Sequence, residues 1–198
     1  MDRRIIYLLL FLLFCSTSHA GVCVLGGSGT SETVTACETQ TTPNDMETSA
    51  SEYFWIASAS TNKYASSKFV ADATTGTVCR ICLSLNKVQS PTMNFSVQIW
   101  SDSGGHPNAM LSNYGSMNAA NIAGTFGDCF SLGSAALANG TTYHVVIVAD
   151  AYSATDYFRW VKDSTCTTKS MQIDADGTSF TETVTTQCGM VKLYTVAP

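Results

Sequence analysis

Between residues 52 and 196 the chain is cut into short runs of β-forming residues, each closed by turn chemistry. The runs are EYFWIA (52–57), KYASSKFVA (63–71), TVCRICLSL (77–85), MNFSVQIW (93–100), DCFSL (128–132), TYHVVIVAD (142–150), YFRWVK (157–162) and MVKLYTV (190–196). Between them lie SDSGGHPN, NAANIAGTFG, ANG and DADG, which are turn or loop sequences. No stretch of ten or more residues carries a helical period. Many short strands without helices predict an all-β fold, a jelly-roll-like sandwich of two antiparallel sheets over residues 51–198. No internal repeat divides that region.

Alternation assigns faces to these strands, because successive side chains point to opposite sides. In 77–85 the odd row is Cys79, Ile81, Leu83 and Leu85, so it is expected to face the core, with Arg80, Cys82 and Ser84 outward. In 93–100, Phe95, Val97 and Ile99 point inward, and Asn94, Ser96, Gln98 and Trp100 outward. A one-residue slip in register would invert either set.

The C-x-x-C at Cys79 and Cys82 is the most chemical feature of the chain. Covalent haem requires His after the second cysteine, and position 83 is Leu. A redox pair favours a helix N-terminus that stabilises the thiolate. Zinc needs four converging ligands, whereas a strand sends residues 79 and 82 to opposite faces. The cysteines therefore read as structural. Beyond residue 20 there are seven: 23, 37, 79, 82, 129, 166 and 188. Cys23 and Cys37 bracket a Gly-rich turn and are expected to close a local loop, worth about 3 kcal/mol in the chain-entropy account. Cys166 and Cys188 flank the DADG hairpin. Cys82 and Cys129 both fall on outward rows. Cys79 is left as a buried free thiol, packing as a small hydrophobe.

The N-terminus has the form of a secretory signal over residues 1–20: Arg3 and Arg4, an apolar stretch from Ile5 to Phe14, and Ser18-His19-Ala20 as a cleavage site. The stretch is shorter than the roughly 20 residues a membrane span needs. Cys15 would be the site of a lipid anchor, but the bulky Phe14 before it fits that poorly. Residues 21–50, rich in Thr, Ser and Gly, read as an extended N-terminal arm. The expected location is extracellular or at the cell surface, where disulfides persist. Charged residues make up 13% of the chain and the net charge is −5, against about 25% charged in ordinary soluble domains. A nucleic-acid binder would concentrate Lys and Arg, so no nucleic-acid partner is expected.

Candidate sites are few. Beyond the signal there are two histidines, His106 and His144, and neither G-x-S-x-G nor H-E-x-x-H occurs. No catalytic, metal or cofactor residues are assigned. DADGTSFTE (174–182) lacks the alternating acidic series of a calcium loop and reads as a hairpin turn. Trp100, on an outward row beside Asp102, His106 and Asn108, is the candidate for stacking on a sugar ring. Asn94 and Asn139 head N-x-S/T sequons.

Several phrases together resemble the bacterial secreted modules called choice-of-anchor R domains. These are VQIWSDSGGHPNAMLS, LANGTTYHVVIVAD, YFRWVK, and DGTSF before VKLYTV, covering about residues 64–196. Asn108 and Phe180 depart from the usual Gly and Trp, and the cysteines are more numerous. The resemblance implies a β-sandwich on secreted or surface proteins and brings no catalytic residues. The chain therefore reads as a non-enzymatic structural or adhesive surface protein. It is expected to associate with itself, its arm adding a strand to a neighbour's sheet as a filament subunit, or to bind surface glycan. The alternatives are a carbohydrate-binding module and, third, a secreted hydrolase.

Overall fold

The computed structural model describes residues 37, 39–41, 50–72, 75–163, 166, 170–184 and 187–196. The signal segment, Cys15, Cys23 and most of the arm lie outside the described residues. Among those described, fifteen strands run in chain order. They are β1 (Thr39–Thr41), β2 (Ala50–Ile56), β3 (Tyr64–Val70), β4 (Thr77–Leu83), β5 (Leu85–Val88), β6 (Asn94–Ser103) and β7 (His106–Asn118). Then come β8 (Asp128–Phe130), β9 (Ala135–Ala136), β10 (Thr142–Ala149), β11 (Tyr157–Asp163), β12 (Met171–Asp174), β13 (Thr181–Val184), β14 (Cys188–Gly189) and β15 (Val191–Val196). All pairings are antiparallel.

One sheet has the order β13-β12-β3-β10-β6-β7. The opposing layer is built from two smaller sheets, β1-β15-β4-β8 with β9 also on β4, and β14-β11-β2 with β5 also on β11. Two stretches of chain pass directly from one of these sheets to the other. Leu83-Ser84-Leu85 joins β4 to β5, and Gly189-Met190-Val191 joins β14 to β15. Backbone bonds at the crossing residues keep the layer continuous: Ser84 N–H donates to Met190 O, Val161 N–H to Ser84 O, and Met190 N–H to Val161 O. Such corner-turning strands are a known way to wrap one layer around a core.

Phe95 of β6 shows that the six-stranded sheet faces both halves of this layer. Its ring lies 5.8 Å from Phe130 on β8 and 4.7 Å from Phe158 on β11. Ile81, Leu83 and Leu85 are fully buried in sequence, so the inward row runs unbroken through the corner. The fully buried Trp160 donates from Nε1 to Met190 O, 3.1 Å away, and its ring covers Gly189, where a Cβ would overlap it. A close-packed core of this kind is what fixes the outward rows in place.

The structure corrects two expectations. Cys79 is not a free thiol: it is joined to Cys37, so Cys37 is not paired with Cys23. The cause is a bulge. Tyr194 pairs with Arg80 but Thr195 pairs with Val78, which leaves Cys79 as the extra residue. A bulge breaks the period of two, so Val78 takes the core position and Cys79 turns out to meet Cys37. β1 is an edge strand of its own sheet, with Thr39 opposite Thr195. The other two bridges join Cys82 to Cys129, whose backbones stand directly opposite, and Cys166 to Cys188. No described helix is long and apolar enough to cross a membrane.

Candidate functional site

Trp100 sits on β6 next to a hairpin whose turn residues, Gly104 and Gly105, both have positive φ (63° and 89°), the geometry that makes Gly-Gly a tight hairpin turn. The tip of this hairpin reaches back across its own sheet. His106 Nδ1 lies 2.9 Å from Gln172 Oε1, and Gln172 Nε2 donates to Gly105 O at 2.7 Å. Since β3 and β10 separate β12 from β6 in the sheet, the hairpin must curl over the outer face to make these contacts. From the other side Phe180 meets Trp100 edge-on at 6.0 Å. Ser66, His144 and Gln172, on outward rows, are consequently buried.

These contacts surround the sequence-derived site. Trp100 is half-buried, and its Nε1 donates to Gln98 Oε1 at 2.7 Å. Asp102 is engaged by His144 Nε2 at 2.8 Å and by Gly105 N–H at 3.1 Å. His106 is held against Gln172, and Asn108 is exposed on β7. The four residues sit on one hairpin, with the indole packed edge-on against Phe180 and bonded to Gln98. Burial pushes the His144 pKa below its ordinary value. The hydrogen bond and charge of Asp102 oppose that shift, and Lys68 and His106 reinforce it. His144 Nδ1 and Ser66 Oγ are buried without a hydrogen-bond partner among the described residues, so serine and imidazole do not form the nucleophile–base contact of a hydrolase.

A second concavity, about 600 Å³, is lined by Ser90, Thr92, Asp150, Tyr152 and Asp156. Its carboxylates are spent on the fold. Asp150 accepts from Asn94 N–H (2.9 Å) and Asn94 Nδ2 (3.0 Å), and Asp156 accepts from Thr155 Oγ1, Ser90 N–H and Ser153 Oγ. The Asn94 sequon amide is thus engaged, while Asn139 is exposed in a turn. In the DADG loop Asp174 accepts from Ala175 and Ser179 N–H, and Asp176 from Thr178 N–H and Oγ1. These are turn-forming contacts. No cluster of three or more metal-ligating side chains occurs among the described residues.

The open surface lies on the other layer. β2 points Phe54 and Ile56 into the core and Tyr53 and Trp55 outward, 44% and 57% exposed. β11 runs beside it with Arg159 opposite Trp55. The Trp55 and Tyr157 rings stand 6.2 Å apart, tilted by 50°, and Arg159 Cζ lies 4.3 Å over the Tyr53 ring. The motif reading passed over this patch, although alternation in EYFWIA and YFRWVK already places all four side chains on outward rows. Farther along the same layer Arg80 lies 3.9 Å over Tyr194, and Lys192 lies 4.6 Å over Phe126. No family model matches the chain, and no curated protein matches it.

Proposed function

We propose that the chain is a non-enzymatic extracellular adhesive module that holds glycan on the aromatic face of β2 and β11. The supporting observation is the exposed Trp55 set against Tyr157, with the exposed Tyr53 on the same face, on strands fixed by a packed core. Flat rings with polar edges bury the apolar faces of sugars while leaving hydroxyl groups to neighbouring donors, and rigid strands hold them ready. The three disulfides suit an oxidising compartment. The likeness to choice-of-anchor R modules rests on the turn and strand phrases and agrees with a surface location. A glycan array with wild type and Trp55→Ala tests the reading: binding is expected to depend on Trp55, and binding indifferent to Trp55 would refute it.

The filament reading draws on β1, which already adds a three-residue strand to the edge of β15 within one chain. The same edge would accept that strand from a neighbour. Electron microscopy of the full chain and a variant lacking residues 21–41, which removes β1, decides it. Assembly that persists unchanged in the shortened chain would end that version.

A further inference from the structure

We infer that the ligand of this face is an acidic polysaccharide, bound by a row of aromatic-stacked cations. The inference rests on the adhesive reading above and deepens it. Arg159 lies on Tyr53 and Arg80 on Tyr194, each guanidinium within cation–π reach of its ring. Among the described residues, Nε of each is buried without a hydrogen-bond partner and neither arginine is paired with a carboxylate. A stacked guanidinium has already lost much of its side-chain freedom, so it meets a carboxylate or sulfate with little further ordering cost. Its planar fork also matches those groups bidentately.

The two arginines lie on the same layer, on either side of the corner between β4 and β5. Alternation along this stretch sets Ile81, Leu83 and Leu85 inward and Arg80, Cys82, Ser84 and Asn86 outward, and of the outward row Cys82 and Ser84 are themselves covered. Arg159 stands opposite Asn86 in the register. Six residues of strand separate Arg80 from Asn86, roughly 20 Å at the usual rise, which is the length of an oligosaccharide and not of one sugar. Lys192 sits on the same layer, opposite Cys82. None of these outward side chains is acidic, in a chain whose net charge is −5. A strip that gathers positive charge on an otherwise acidic protein complements a polyanion. The exposed Trp55 and Tyr157 beside it add ring stacking, which favours a sugar polymer over other polyanions.

Affinity electrophoresis of the full mature chain tests this with polygalacturonate, neutral dextran and inorganic polyphosphate as probes. Polygalacturonate should retard the wild type, with retardation weakening as salt rises. Arg80→Gln/Arg159→Gln should weaken it about tenfold, and each single substitution less. Trp55→Ala should weaken it as well. Unfolding midpoints close to wild type for the arginine variants would show that the loss is not one of folding. Trp55-dependent binding of dextran that ignores both arginines would overturn the acidic ligand and leave the adhesive reading standing. Retardation by none of the probes would count against both. Equal retardation by polyphosphate would reduce the strip to a general anion surface and overturn the inference.

Discussion

The fully buried imidazole of His144 holds its Nε2 2.8 Å from Oδ1 of Asp102, tying β10 to the base of the β6–β7 hairpin. Burial lowers the pKa of this histidine in the folded state, and Asp102 only partly restores it. The unfolded chain therefore binds a proton near pH 6.5 that the folded chain refuses. The sign follows directly: stability is complete above about pH 6.5 and is lost as pH falls from there toward the depressed folded value. Thermal unfolding midpoints measured from pH 8 to pH 5 should decline over that window in wild type. In His144→Gln the decline should flatten. A wild-type profile with no slope below pH 6.5 would show that the imidazole is not buried as the neutral form.

Trp55 and Trp100 should behave oppositely when truncated. Trp55 is 57% exposed, so Trp55→Ala is expected to change the unfolding free energy by less than about 0.5 kcal/mol while removing glycan retention. Trp100 packs on Phe180 and donates to Gln98, so Trp100→Ala should cost about 2 kcal/mol and leave retention in place. Urea unfolding and a binding assay on the two variants check both halves. The reverse pattern would return the sugar site to the β6–β7 hairpin.

The eight runs read from the sequence all fall on strands, because burial on one side imposes a period of two that survives without any knowledge of partners. β7 escaped that reading, and it is the longest strand. It lies at the sheet edge, buries only Pro107 and Tyr114, and shifts register three times against β6. An edge strand with bulges has no reason to alternate, so its Ala109-Met110-Leu111 looks like loop. The bulge at Cys79 misled the disulfide assignment for the same physical reason. Which outward residues stay open was illegible too. The hairpin folding over His144 covers one outer face, and nothing local to Trp100 or Trp55 records which of the two faces is covered.

The Cys37–Cys79 bridge closes a 42-residue separation, for which the chain-entropy account gives about 4 kcal/mol. Peptide mapping without reduction should recover Cys37 linked to Cys79, and a Cys37–Cys23 peptide would contradict the structure. Cys37→Ser/Cys79→Ser should lower the thermal midpoint by about 10 °C. The strip around Arg80 should suffer with it, since Cys79 is the bulged neighbour of that residue.

Gly189 offers the sharpest test of how the two halves of the layered sheet are joined. It lies on β14 opposite Lys162, its N–H donates to the Ser67 hydroxyl at 3.0 Å, and a Cβ built on it falls within the Trp160 ring. The ring has no room to withdraw, because it is fully buried and anchored through Nε1 to Met190 O. Gly189→Ala should therefore cost about 3 kcal/mol, the upper range for forcing a methyl group into a packed core. Trp160→Leu alone is also destabilising, through the volume it removes. The two changes share one space, so the double variant should lose less than the sum of the singles. Denaturant midpoints for wild type, both singles and the double variant complete the cycle. Strict additivity would mean that the glycine is not under the indole, and that the corner between β14 and β15 is held in some other way.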